Sequence, residues 1–116
     1  MRGLNKLYAL GRLKVGQLNK TEEAYRRHLE LRKVAGEVVW YAFEGIKLRL
    51  ADKTFYTPDF AVQLADGSLE LHEVKGRWMD DARVKTKVAA AQFPIRIIAV
   101  TAQAKKLGGG WAIEEF

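Results

Sequence analysis

Apolar positions change their spacing along this chain, and the changes mark out its elements. In "NKTEEAYRRHLELRKVAGE", Tyr25, His28, Leu29, Arg32 and Ala35 recur at helical intervals. Asn19 has capping-box spacing to Glu22, Thr21 is an equally good N-cap, and Gly36 supplies a stop, so the pattern predicts a helix over about 20–35. The period then falls to two. Val38 to Phe43 reads as a strand, and Ile46, Leu48 and Leu50 alternate with Lys47 and Arg49 in a second strand or a continuation. Two more strands are expected at about 55–64 and 69–75. A second helix follows at about 80–93, with Asp80 and Asp81 at its positive end and Pro94 closing it. "IRIIAVTA" reads as a buried strand, the three glycines at 108–110 as a hinge, and "WAIEEF" as a tail able to pair as a strand. The expected fold is α/β, with a central mixed sheet of four to five strands flanked by helices in the order α-β-β-β-α-β.

Within the hairpin "FYTPDFAVQLADGSLELHEVKGRW" sit two acids and a lysine, Asp59, Glu73 and Lys75. Side chains alternate along a strand, so Glu73 and Lys75 share a face. Asp59 joins them only in one register. A three-residue loop, Ala65-Asp66-Gly67, sets Asp59 opposite Glu73 and leaves glycine at the position that must be left-handed. A two-residue loop, Asp66-Gly67, would set Asp59 across from Val74, on the other face. The first is preferred because it gathers the acids. Two carboxylates and an ammonium on one sheet face are costly to bury without partners. A hard divalent cation such as Mg²⁺ resolves the conflict, and Lys75 beside it is placed to orient an attacking water or to hold charge developing on phosphorus. As a purely structural arrangement, the same residues would be an exposed ion pair and a turn aspartate.

Charge sharpens the choice of partner. The 116 residues carry a net charge of +6. Five of those charges, Arg2, Lys6, Arg12, Lys14 and Lys20, fall in the first 20 residues, which contain no acid. Such a balance favours a polyanion, nucleic acid before an anionic membrane. The chain has no cysteine, which excludes disulfides and thiolate metal sites. It also has no apolar run approaching a membrane span and no apolar block of a signal peptide near its start, and a cytoplasmic setting is the expectation. The length suits one domain, divided into a basic arm at 1–18, a core at 19–102 and a tail at 108–116. On the second helix Arg83 and Lys87 flank the apolar stripe of Val84, Val88 and Ala91. With Arg77 and Trp78, and with Lys14 and Lys20 of the basic segment, they are candidate phosphate contacts. His28 reads as a hydrogen-bonded core residue, His72 points away from Glu73, and Trp40, Tyr41 and Phe43 read as core.

"Pro58-Asp59 … Glu73-Val74-Lys75" resembles the PD-(D/E)xK nuclease superfamily, whose core is restriction-endonuclease-like. More narrowly, "NKTEEAY … YTPDF … HEVKG" resembles small phage nucleases related to the endonuclease I type Holliday junction resolvases, over about residues 19–102. The resemblance implies hydrolysis of DNA phosphodiesters with Mg²⁺ or Mn²⁺. Asp59 and Glu73 would be metal ligands, the Val74 carbonyl a further ligand and Lys75 the catalytic lysine. It also implies an acid on the first helix. Glu22 and Glu23 are both candidates, and helix geometry favours Glu22, three before Tyr25 and seven before Leu29. The implied protein is a phage or prophage DNA-recombination enzyme, working in a bacterial cytoplasm as a homodimer on branched DNA, since symmetric cutting of two strands needs two sites. A repair or restriction-type nuclease on linear DNA, and a nucleic-acid-binding module without chemistry, are the alternatives.

Overall fold

The structure is a computed structural model that describes residues 17–76 and 80–116, leaving out the side chains at 80 and 81. Helix α1, Lys20–Val34, opens on a full capping box. The Asn19 side chain accepts from the Glu22 amide at 2.8 Å, and the Glu22 carboxylate accepts from the Asn19 amide at 2.9 Å. Strand β1, Val38–Phe43, then leads to a short hairpin of β2, Leu48–Ala51, and β3, Thr54–Tyr56. Strands β4, Phe60–Leu64, and β5, Leu69–Val74, form a second hairpin. Helix α2, Asp80–Gln92, crosses to β6, Arg96–Ala102, and a 3₁₀ turn at Lys105–Leu107 precedes β7, Trp111–Glu115.

The main sheet has five strands in the order β1-β4-β5-β6-β7. Only β5 and β6 run parallel, as a helical crossover between neighbours requires; the other pairs are antiparallel. The α/β class and the mixed sheet match the pattern of the sequence, whereas the order of elements does not. Among the described residues it is α-β-β-β-β-β-α-β-β instead of α-β-β-β-α-β. The expected strand over 55–64 is two strands, broken at Thr57-Pro58-Asp59. Proline has no N–H for a ladder, and β3 pairs with β2 in a separate two-stranded sheet. The tail does pair, with Ala99 opposite Glu114 and Thr101 opposite Ala112.

Each face of the sheet is covered. Tyr25 and Leu29 of α1 pack on Val38, Phe60, Val62, Val74, Ile98 and Val100. On the other face Ala89 of α2 and Leu48 and Tyr56 of the small hairpin pack on Ala61, Leu71 and Ile97. Strands β4 and β6 are therefore apolar on both sides rather than alternating, whereas β5 also buries Glu70, His72 and Glu73. A bulge between Val38 and Trp40 brings Val38 and Tyr41, three apart, to the α1 side. Trp40 consequently faces the opposite side at the sheet's edge, where it is 41% exposed rather than in the core, while Tyr41 and Phe43 are half-buried. Among the described residues no helix is long and apolar enough to cross a membrane.

Candidate active site

The β4–β5 hairpin carries the acids, and its loop sets their register. Phe60 pairs with His72 and Gln63 with Leu69, and the Leu64 N–H donates to the Ser68 carbonyl at 2.9 Å. The loop is Ala65-Asp66-Gly67, with Gly67 at φ +91°. This is the three-residue loop, and it places Asp59 beside Glu73. The backbone confirms the placement: the Asp59 N–H approaches Glu73 Oε1 at 3.3 Å, and the Val74 N–H donates to Asp59 Oδ2 at 2.8 Å. The Asp59 carbonyl is held from the far side by the Glu44 N–H at 2.7 Å, so the residue is clamped between β1 and β5.

Glu73 is only 5% exposed. Its Oε1 also accepts from the Tyr56 hydroxyl at 3.1 Å, and its Oε2 lies 3.1 Å from Lys75 Nζ. Burial raises the proton affinity of both acids. For Asp59 burial is reinforced by the charge of Glu73 and, more weakly, of Glu22, and opposed by the Val74 N–H, taking its pKa to about 8. For Glu73 burial dominates, and Lys75, Tyr56 and the Asp59 N–H offset part of it. The Tyr56 hydroxyl is itself held neutral, by burial and then by the Glu73 charge. Glu22 thus serves twice: it completes the helix cap and stands near enough to Asp59 to act on its charge. Glu23, in contrast, is paired with Arg26 at 2.6 Å and with Arg27 at 3.6 Å.

The site lies where parallel strand β5 ends, with the Lys75 amide donating to Val100 at 2.8 Å. That is the end at which α/β sheets present ligand sites. Clefts of about 430 and 470 Å³ lie elsewhere, lined respectively by residues such as Lys20 and Arg27 and by residues such as His28 and Arg96. Among the described residues no three His, Asp or Glu side chains converge as a ready-made cage for a metal ion. Two buried carboxylates with raised proton affinity nevertheless form a donor set suited to a hard cation that keeps several waters, as Mg²⁺ does.

The other predicted contacts are scattered. Arg77, Trp78 and Lys14 lie outside the described residues. Lys20 is exposed at the first turn of α1 and Lys87 on α2. Arg83 reaches across to Glu114, with Nη2 to Oε2 at 2.6 Å, so this cation is engaged by β7. Tyr56 was not singled out by the sequence; its only signal is that it falls in phase with the inward residues of its hairpin.

Reasoning from the sequence also missed a polar network on the other face of β5. His72 is fully buried, with Nδ1 2.6 Å from the Tyr25 hydroxyl and Nε2 2.9 Å from Glu70 Oε1. A carboxylate only accepts, so Nε2 carries the proton and Nδ1 accepts from Tyr25. Arg96 Nη1 donates to Glu70 Oε2 at 2.8 Å. His28 is half-buried, its ring 5.5 Å from Tyr25 and 6.3 Å from Trp111. No protein-family model, curated protein or solved structure matches the chain, so the functional reading rests on these residues and their geometry.

Proposed function

We propose that this chain is a metal-dependent DNA endonuclease with a restriction-endonuclease-like core, acting on branched DNA such as a four-way junction. The observation that carries the reading is the meeting of Asp59, Glu73 and Lys75 at one end of the β4–β5 hairpin, with the ammonium 3.1 Å from the Glu73 carboxylate. The net charge of +6 suits a polyanionic substrate.

The carboxylates of Asp59 and Glu73 and the carbonyl of Val74 would hold Mg²⁺ or Mn²⁺. Bound there, the ion supplies Lewis-acid stabilisation of the phosphate and a water of lowered pKa. The remaining roles belong to the chain. Lys75 orients the attacking water and carries positive charge toward the phosphoryl oxygens. Tyr56 fixes one oxygen of Glu73 and the Val74 N–H fixes one of Asp59, so neither acid swings free. Glu22 would hold a further water beside Asp59. Cutting both strands of a junction calls for two such sites, hence a homodimer, working in the cytoplasm of a bacterial host.

The test is a cleavage panel with Mg²⁺ on a four-way junction, a linear duplex, a flap and a single strand. The junction is expected to be cut, with Glu73→Gln and excess EDTA each abolishing cleavage. Activity that survives in either would refute the metal-site reading. Equal rates on junction and linear duplex would assign the enzyme to repair or restriction-type cleavage instead.

A further inference from the structure

The small β2–β3 hairpin lies outside the main sheet, and its two faces differ sharply. Leu48 pairs with Tyr56, and both are buried, with Ile46 and Leu50 packed alongside. The Gln92 side chain of α2 ties the hairpin down through the Leu50 carbonyl at 3.3 Å. The outward positions are Lys47 and Arg49, with Phe55 directly opposite Arg49 and Lys53 in the turn at φ +55°. Phe55 is 40% exposed, and Lys47 Nζ stands 4.4 Å from its ring centroid. The hairpin's one acid, Asp52, lies 3.9 Å from Arg49, whose side chain remains 64% exposed.

We propose that this outer face is the element with which the protein grips DNA beside the active site, its three cations on the phosphate backbone and Phe55 against sugar or base. The proposal rests on the nuclease reading and adds its substrate-binding surface. Three arguments support it. First, the hairpin runs straight into the site: Tyr56, its last residue, donates to Glu73, and Asp59 follows three residues on. Second, a pair of buried acids repels phosphate, so a phosphodiester can approach only if cations stand nearby. Of the candidates, Lys75 is held by Glu73 and Arg83 by Glu114, Lys20 and Lys87 are single exposed cations, and the hairpin supplies three cations together. Third, cations interleaved with an exposed aromatic ring suit a nucleic-acid strand, where phosphates take the charge and a flat face takes the ring.

The experiment measures binding of a fluorescein-labelled four-way junction by anisotropy across a salt series, in EDTA so that no strand is cut. Lys47→Gln, Arg49→Gln and Lys53→Gln should each lower the slope of log K against log salt by about 0.9, and together by about 2.7. Phe55→Ala should weaken binding by about tenfold and leave the slope alone. Lys33→Gln, an exposed cation at the far end of α1, is the control for net charge and should leave the slope unchanged. Lys47→Arg with Arg49→Lys keeps the charges and should retain the wild-type slope. If wild type binds DNA and the triple variant keeps both slope and affinity, the hairpin proposal is overturned while the nuclease reading stands. If wild type neither binds nor cuts DNA, both fall.

Discussion

Replacing Asp59 with asparagine should stabilise the protein in the absence of metal, and should do so more at high pH than at low. The fold raises the carboxyl's pKa from 3.8 to about 8, through burial first and the Glu73 charge second. Between those values the folded state holds a proton that the unfolded state has released. Stability from this group is therefore complete below about pH 4 and is lost as pH rises toward about 8. Four pKa units would amount to about 5–6 kcal/mol. Asp59 and Glu73 share one repulsion, Lys75 answers part of it, and Asp59 is not fully shielded from water, so about 2–3 kcal/mol is the expected effect. Asparagine is nearly isosteric and its carbonyl can still accept from the Val74 N–H, so little else changes.

The assay is urea unfolding of both proteins in EDTA at about pH 4 and about pH 8. Taking the difference between wild type and variant cancels the titrations of His28, His72 and the surface acids. The gap should be small at the lower pH and approach 2–3 kcal/mol at the higher. Excess Mg²⁺ at the higher pH should stabilise wild type and leave Asp59→Asn nearly unmoved, because a ligand that binds only the folded state adds to its stability. Parallel behaviour of the two proteins across this range, or a variant less stable than wild type at the higher pH, would refute the claim that the fold holds Asp59 under electrostatic strain.

Three further outcomes follow from other parts of the chain. Lys75→Ala should slow single-turnover cleavage of a junction by on the order of 10²–10⁴-fold at saturating enzyme, and Lys75→Arg should not restore it, since a planar guanidinium does not replace a compact ammonium. Gly67→Ala should cost about 1–2 kcal/mol in urea unfolding purely through its left-handed backbone, because a Cβ there meets nothing within 4 Å. Leu29→Ala, at a fully buried position between α1 and the sheet, should cost about 2–5 kcal/mol by the same measurement.

What could be read from the sequence follows from how local its cause is. Both helices lie within a residue or so of expectation, because caps, glycine and proline act on adjacent residues. The β4–β5 register was also legible: a three-residue loop needs a left-handed last residue, and Gly67 is the residue that provides one. The separate β2–β3 sheet was not legible. Its alternation is that of any half-buried strand, and only tertiary packing against α2 decides that β3 leaves the main sheet at Pro58. Trp40 failed for a similar reason: the bulge before it inverts its face, and α2 packs over β2, β3 and β6 rather than over β1.

Strand β5 itself carries two buried acids in opposite environments. Glu70 and Glu73 sit three apart on opposite faces, and both are 5% exposed. Burial works against ionisation at each, yet the outcomes have opposite signs. At Glu70 the hydrogen bonds from His72 and Arg96 overcome burial and hold the carboxyl below its ordinary range. That acid is answered within the chain, as a buried acid serving only the fold must be. At Glu73 the Lys75 ammonium, the Tyr56 hydroxyl and the Asp59 N–H still leave the carboxyl above its ordinary range, and its charge in turn raises Asp59 alongside. Every buried polar side-chain atom among the described residues has a hydrogen-bond partner, so the deficit at Glu73 is one of charge and not of hydrogen bonds. The fold answers Glu70 with Arg96 and His72, whereas it sets a second carboxylate, Asp59, beside Glu73 and its one cation, Lys75, an arrangement that suits the cation proposed there. That asymmetry, rather than the short PD…ExK string alone, is the stronger argument that Asp59 and Glu73 are there for a cation.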